Sequence, residues 1–378
     1  MKKITIIFLA VLTISLLPYR PVQAAPLEID LSGAWEQYGM DEVEKGMDRL
    51  MPGYELDMKG VWKSIVHGRI TEAAAILWDG VKGKLVSELA GMKNIFASIV
   101  VLGIVSALFS NFSDVFQNHQ IADISFYFLY LLLISVLMKA FLAASDIAGQ
   151  TVENIVLFIK MFIPTYFIAV GAATGAVTGA AYYQFMFVLA YGVEKIILSF
   201  LIPLIYSYVL LALVNGIWAE DRLTLLLDFL KKGIGAVMKV AMGAITSFSL
   251  FQSMIAPVLD SLKNSAVKKA IGVIPGIGNL AEGVAEMVVG SAVLIKNSIG
   301  LLMLLFLLAI CLVPLAKLVL IAGMMKGSAA LVGIVSDKRV SGCTDRVGDG
   351  SFMLFKASFT AVALFMVTIA IVAYTTGR

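Results

Sequence analysis

Histidine and cysteine are almost missing from this chain, with two of each in 378 residues. His67 and His119 stand far apart and match no ligand spacing, so a metal centre built on them is not expected. Cys311 lies in an apolar run and Cys343 in a polar loop, which argues against a disulfide framework. Charge is scarce as well: 15% of the residues are Asp, Glu, Lys or Arg, where a soluble domain has about a quarter. The net charge is only +3, and many basic residues are scattered among apolar segments rather than gathered on one face, which excludes a nucleic-acid binder. There is no H-E-x-x-H, no Walker A loop and no G-x-S-x-G elbow. The chain therefore reads as a non-enzyme with no catalytic residue, cofactor or metal to assign, and any energy has to come from a partner or a gradient.

What the sequence does contain is apolar length. Sixty per cent of it is hydrophobic, and the mean hydropathy is +0.93. Several runs reach the roughly 20 residues that cross a bilayer, so the expected fold is an all-α, polytopic membrane protein. The start has the form of an export signal: Lys2 and Lys3, an apolar core from Ile4 to Leu17, and small residues at Val22-Gln23-Ala24. A signal peptide over 1–24, cleaved after Ala24, is expected. Ala25 to Met92 holds seven basic and twelve acidic residues, an acidic balance that suits an extracytoplasmic segment because basic loops stay inside. Trp35, Tyr38, Trp62 and Trp78 sit there at helical spacings among charges. Two readings remain open for them: a helical cap that packs its aromatics on itself, or a surface for a partner or for the bilayer.

From 93 to 378 the pattern predicts a multi-span domain with about 7–9 apolar segments, at 94–111, 124–144, 154–174, 181–194, 196–217, 241–258, 271–295, 299–322 and 352–374. Glu194-Lys195 divides the run 181–217, which is either one long tilted helix or a tight pair. Residues 219–242, "AEDRLTLLLDFLKKGIGAVMKVAM", combine leucines at helical spacing with Arg222, Lys231, Lys232 and Lys239. An amphipathic helix on the cytoplasmic membrane face is expected there, with a re-entrant segment following it somewhere in 240–297.

Three features inside the apolar region suggest function. Gly276-Ile-Gly278-Asn-Leu-Ala281 matches a dinucleotide-binding pattern, yet no Asp or Glu occurs from Met287 through Ser336 to hold a ribose, and no βαβ pattern surrounds it. Pro275, Gly276, Gly278 and Asn279 read better as a helix break, with Asn279 capping the following helix at a loop or beside a pore. Gly171, Gly175 and Gly179 recur every fourth residue and predict a close-packing face between helices, with a glycine-lined pore or a contact with a second copy of the chain as the functional alternative. Charges embedded in apolar runs are the third feature. Lys139, Lys296 and the pair Glu194-Lys195 lie where snorkelling to the interface is expected, whereas Lys160 and Lys317 are the stronger intramembrane candidates. Lys317 follows Pro314 by three residues, and carbonyls freed by the proline are its expected partners.

Taken in order, the export signal, an acidic outer segment of about seventy residues, and spans bearing "IPGIGN", "LIKNSIG" and "CLVPLAKL" resemble the stage III sporulation protein AE family. The resemblance covers essentially the whole chain. It implies an endospore-forming bacterium of the Bacillus type and a multi-pass protein of the mother-cell membrane around the engulfed forespore, with its mature N-terminus in the intermembrane space. It also implies membership of a secretion-like channel complex with other stage III membrane proteins, joined to a forespore-side membrane protein and served by a partner ATPase. Such a complex is needed for forespore integrity and for late activity of the forespore sigma factor, sigma-G. The residues alone leave a second class open, a self-sufficient small-solute transporter with Lys160 or Lys317 in its path.

Overall fold

In the computed structural model, the described residues are 31–91 with scattered positions up to 105, 119–217, 222–243 with 246, 247 and 250, 278–334, and 338–375. The signal peptide at 1–24, most of the spans expected at 94–111 and 241–258, and Pro275 and Gly276 lie outside them. Every regular element among the described residues is helical.

Four short helices form an N-terminal unit: α1 (Leu31–Gln37), α2 (Met40–Leu50), α3 (Met58–Val66) and α4 (Ile70–Gly91). Local signals set their ends. Asp57 accepts a hydrogen bond from the Gly60 N–H at 2.8 Å and so caps α3. Asp41 and Glu42 occupy the first turn of α2 and Arg49 its last, matching the helix dipole at both ends. Trp35 and Trp62 meet edge to face at 6.0 Å, and the Trp35 indole donates to Asp41 at 2.9 Å. With Tyr38, Met40, Met47 and Val61 they are buried in a common core, each large side chain stabilising the unit by about 1.5–3 kcal/mol. Of the aromatics flagged by spacing, Trp35, Tyr38 and Trp62 are therefore packed inside, while Trp78 is 52% exposed.

The rest is built from rods: α5 (His119–Thr174), α6 (Ala176–Ile196) continuing through a wide turn at Ile197–Leu201 into α7 (Ile202–Asn215), α8 (224–243), α9 (Gly278–Gly333) and α10 (Lys338–Thr375). Four of these helical stretches are long and apolar enough to cross a membrane: Tyr130–Thr174, Val177–Asn215, Gly290–Gly333 and Lys338–Ile371. The chain is an all-α membrane protein.

The rods are longer than the separate runs in the sequence suggest. Runs 124–144 and 154–174 lie within α5, and 299–322 joins the described part of 271–295 in α9. At 1.5 Å per residue, the 56 residues of α5 extend about 84 Å, far beyond a hydrocarbon layer of about 30 Å. Pro164 and Pro314 lie inside α5 and α9 without ending them. The run 181–217 is one continuous rod. Its irregularity falls at Ile197–Leu201, where the Ile202 N–H reaches back five residues to the Ile197 carbonyl just before Pro203, which has no N–H to donate.

The three spaced glycines do not share one helical face. Gly175 has φ 122° and ψ 154°, a conformation that L side chains rarely adopt, and it ends α5 and starts α6. The chain reverses there into an antiparallel hairpin. Gly171 and Gly179 then face each other across it: a Cβ on Gly179 would lie 2.9 Å from the Gly171 Cα. Phe167 and Tyr183 meet further along at 5.5 Å. The close approach is thus made within one chain, between α5 and α6.

Helices α9 and α10 pair antiparallel, with Ser341 against Gly333 and Lys326 against Gly348. Helix α9 also packs on α5, where Tyr166 lies over Gly300. Phe141, Phe158, Phe162, Phe306 and Phe365 fill the core among these rods.

Candidate functional site

Polar groups inside so apolar a bundle need partners, because an unpaired charge in a low-dielectric setting is costly. Lys160 of α5 bonds Glu194 of α6 at 3.1 Å, bridging the hairpin about four turns below Gly175. Glu194 is therefore drawn to a cross-hairpin lysine, while its neighbour Lys195 is exposed over the Tyr191 ring at 5.8 Å. Lys139 is exposed as well.

Lys317 of α9 bonds Glu88 of α4 at 2.7 Å, and Lys84 approaches the same carboxylate at 3.2 Å. The expected recipients of the Lys317 ammonium were carbonyls freed by Pro314; instead the N-terminal unit supplies a carboxylate across 229 residues of sequence. The hydrogen bond from Lys317, with that from Lys84 behind it, holds the Glu88 carboxyl below the usual carboxylate range, against a smaller opposing effect of burial. The same unit touches α5, where Gly46 of α2 meets the Met161 thioether so closely that any side chain at 46 would displace it. The N-terminal helices thus lie along α5 and α9.

Lys296 departs from the snorkelling expectation. It is 0% exposed, among the buried Ile295, Ser298 and Ile299 of α9. Close by, the Asn297 Oδ1 and the hydroxyl of Tyr166 are buried without a hydrogen-bond partner.

A third group of charges gathers where α8, α9 and α10 meet. Asp349 takes both Lys231 of α8 and Lys326 of α9, the latter at 2.8 Å, and Lys326 also bonds Asp345 at 2.9 Å. Arg346 donates to the Thr224 hydroxyl at 3.2 Å. Asn215 is buried at the end of α7 and accepts from the Leu223 N–H at 2.8 Å, while Tyr130 of α5 donates to the Leu213 carbonyl at 2.8 Å. These bonds fix the entry to α8 against the rods.

Of the residues singled out in the sequence, Lys160 and Lys317 each join two elements; Gly171 and Gly179 meet at the hairpin while Gly175 turns it. Gly278 and Asn279 fall in the first described turn of α9, and the break expected at Pro275 and Gly276 lies outside the described residues. The structure does not bring the lysines, the glycines and the Gly278–Asn279 turn into one site. Glu88, Asp349, Lys326 and Arg346 were not anticipated. Glu88 had one local signal, its position four residues after Lys84 on a helix face; the Asp349 network forms only when α8, α9 and α10 assemble. Among the described residues no group of three or more His, Cys, Asp or Glu could hold a metal ion, and Cys311 and Cys343 are free and buried.

The arrangement supplies long apolar rods, charge pairs that lock them together, and a helical unit fastened along their flank. Comparison with known proteins gives this architecture a family. The family model for stage III sporulation protein AE matches residues 56–376, from α3 through α10. Stage III sporulation protein AE of Bacillus subtilis (strain 168) is 21% identical over 361 residues, covering 88% of this chain and 88% of that protein. No solved structure matches. The chain belongs to the stage III sporulation protein AE family, whose role is in sporulation.

Proposed function

We propose that this protein is a non-catalytic, multi-pass component of the channel complex that joins mother cell and forespore. It sits in the mother-cell membrane around the engulfed forespore, with its N-terminal unit in the intermembrane space, and works with other stage III membrane proteins and a forespore-side membrane protein. A partner ATPase supplies energy. In this reading the complex sustains forespore integrity and late sigma-G activity. The observation that carries the proposal is the acidic N-terminal unit held along the membrane rods by Glu88 and Lys317, which presents a rigid polar body beside the bilayer where a partner across a narrow gap can meet it.

Deletion of the gene in its own host tests this, with a sigma-G-dependent fluorescent reporter read in forespores after engulfment. The expected outcome is normal engulfment followed by dark, shrinking forespores. Unchanged sporulation overturns the proposal. Solute uptake by the purified chain alone in liposomes would favour a self-sufficient transporter in its place.

A further inference from the structure

Helix α8 has two apolar faces and needs only one of them for folding. Leu227, Ile234 and Met238 point into the protein and are buried. On the opposite side, Leu225 is 87% exposed, Phe229 70% and Val240 69%, and the spacing 225, 229, 240 keeps them on one stripe. Lys232 and Lys239 are exposed at the margin of that stripe, with Arg222 at its N-terminal end. Across 219–242 Arg222, Lys231, Lys232 and Lys239 stand against Glu220, Asp221 and Asp228; the exposed Lys232 and Lys239 are the charges at the edge of the stripe.

The helix is not free to roll its apolar stripe inward. The Leu223 N–H is held by Asn215, Thr224 by Arg346 and Lys231 by Asp349. Asn215 is also the last residue of a helix long and apolar enough to cross a membrane, and α8 follows it after a short connection. A fixed helix joined so closely to an apolar membrane-length helix, with an outward apolar stripe edged by lysines, has the chemistry of a surface that enters a negatively charged lipid leaflet.

We infer that α8 is a lipid-binding element: Leu225, Phe229 and Val240 insert among acyl chains while Lys232, Lys239 and Arg222 bind anionic phospholipid headgroups. Lys231 is tied through Asp349 to Lys326, so α8 is joined to α9 and α10 by ion pairs.

The test uses the full chain in lipid nanodiscs. Cys311 and Cys343 are buried, so a Phe229→Cys variant accepts an environment-sensitive fluorophore selectively, with Val240→Cys as a second probe should the first disturb folding. The expected result is blue-shifted emission, protection from iodide and quenching by lipids brominated near the acyl carbonyls. Quenching is stronger with phosphatidylglycerol than with phosphatidylcholine alone, and that difference is lost in Lys232→Gln/Lys239→Gln. Free access of iodide in both lipids overturns the inference. Protection from iodide without lipid quenching also overturns it, by showing that protein covers the stripe. Equal quenching in the two lipids overturns the anionic preference.

Discussion

Glu88 shows how much one side chain settles here. Its carboxylate serves Lys84 on its own helix and Lys317 on α9, and both hold its pKa below the ordinary value of 4.5. A carboxyl whose folded pKa is lowered stabilises the fold fully above its unfolded value and loses that contribution as pH falls through the folded value. Attachment of the N-terminal unit should therefore hold from neutral pH down to the carboxyl's ordinary value of 4.5 and weaken as the pH falls below it. Tryptophan fluorescence during urea titration checks this, since the buried Trp35 and Trp62 report on the unit. The acid-induced fall in midpoint should be smaller in Glu88→Gln than in the parent; an identical fall in both would remove Glu88 from the account. Lysines 160 and 317 were legible as unusual because each interrupts an apolar run. Their partners were not, since Glu194 looked like the interface of a span and Glu88 lies in a segment that reads as a separate cap. Pairing over such distances is decided by tertiary packing, which local spacing does not encode.

At the scale of elements, the α5–α6 hairpin carries the clearest consequence. Gly175 occupies a backbone region that costs other residues about 1–3 kcal/mol. Gly175→Ala should lower stability by that amount in denaturant titrations followed by circular dichroism. Gly179→Leu should cost at least as much, because the new side chain runs into the Gly171 backbone. Normal stability in both variants would mean that the hairpin is not formed as described. The glycine spacing announced close packing but not its geometry: one repeat of four serves a straight helix face and a tight reversal equally well, and only the conformation at Gly175 separates them. Helix existence was easy to read, since few patterns but helices suit such apolar runs. Their length was not. The expected spans 124–144 and 154–174 left 145–153 between them, yet no proline occurs there, and α5 runs straight through, Gly149 included.

For the whole molecule, the four described helices long and apolar enough to cross a membrane and the family assignment make the chain a membrane protein with a role in sporulation, and the position of the N-terminal unit is what joins structure to the proposed role. The unit is fastened along α5 and α9 at Met161 and Lys317, so under the proposed function a partner bound to it acts on the rods through these contacts. The charge pair between Glu88 and Lys317 can be reversed without changing the number of charges. The most direct measurement reads sigma-G reporter fluorescence in sporulating cells carrying Glu88→Lys, Lys317→Glu or both. Dark forespores are expected for each single reversal, at normal protein levels, with a clear return of fluorescence when the two are combined. Full fluorescence in both single variants would contradict it.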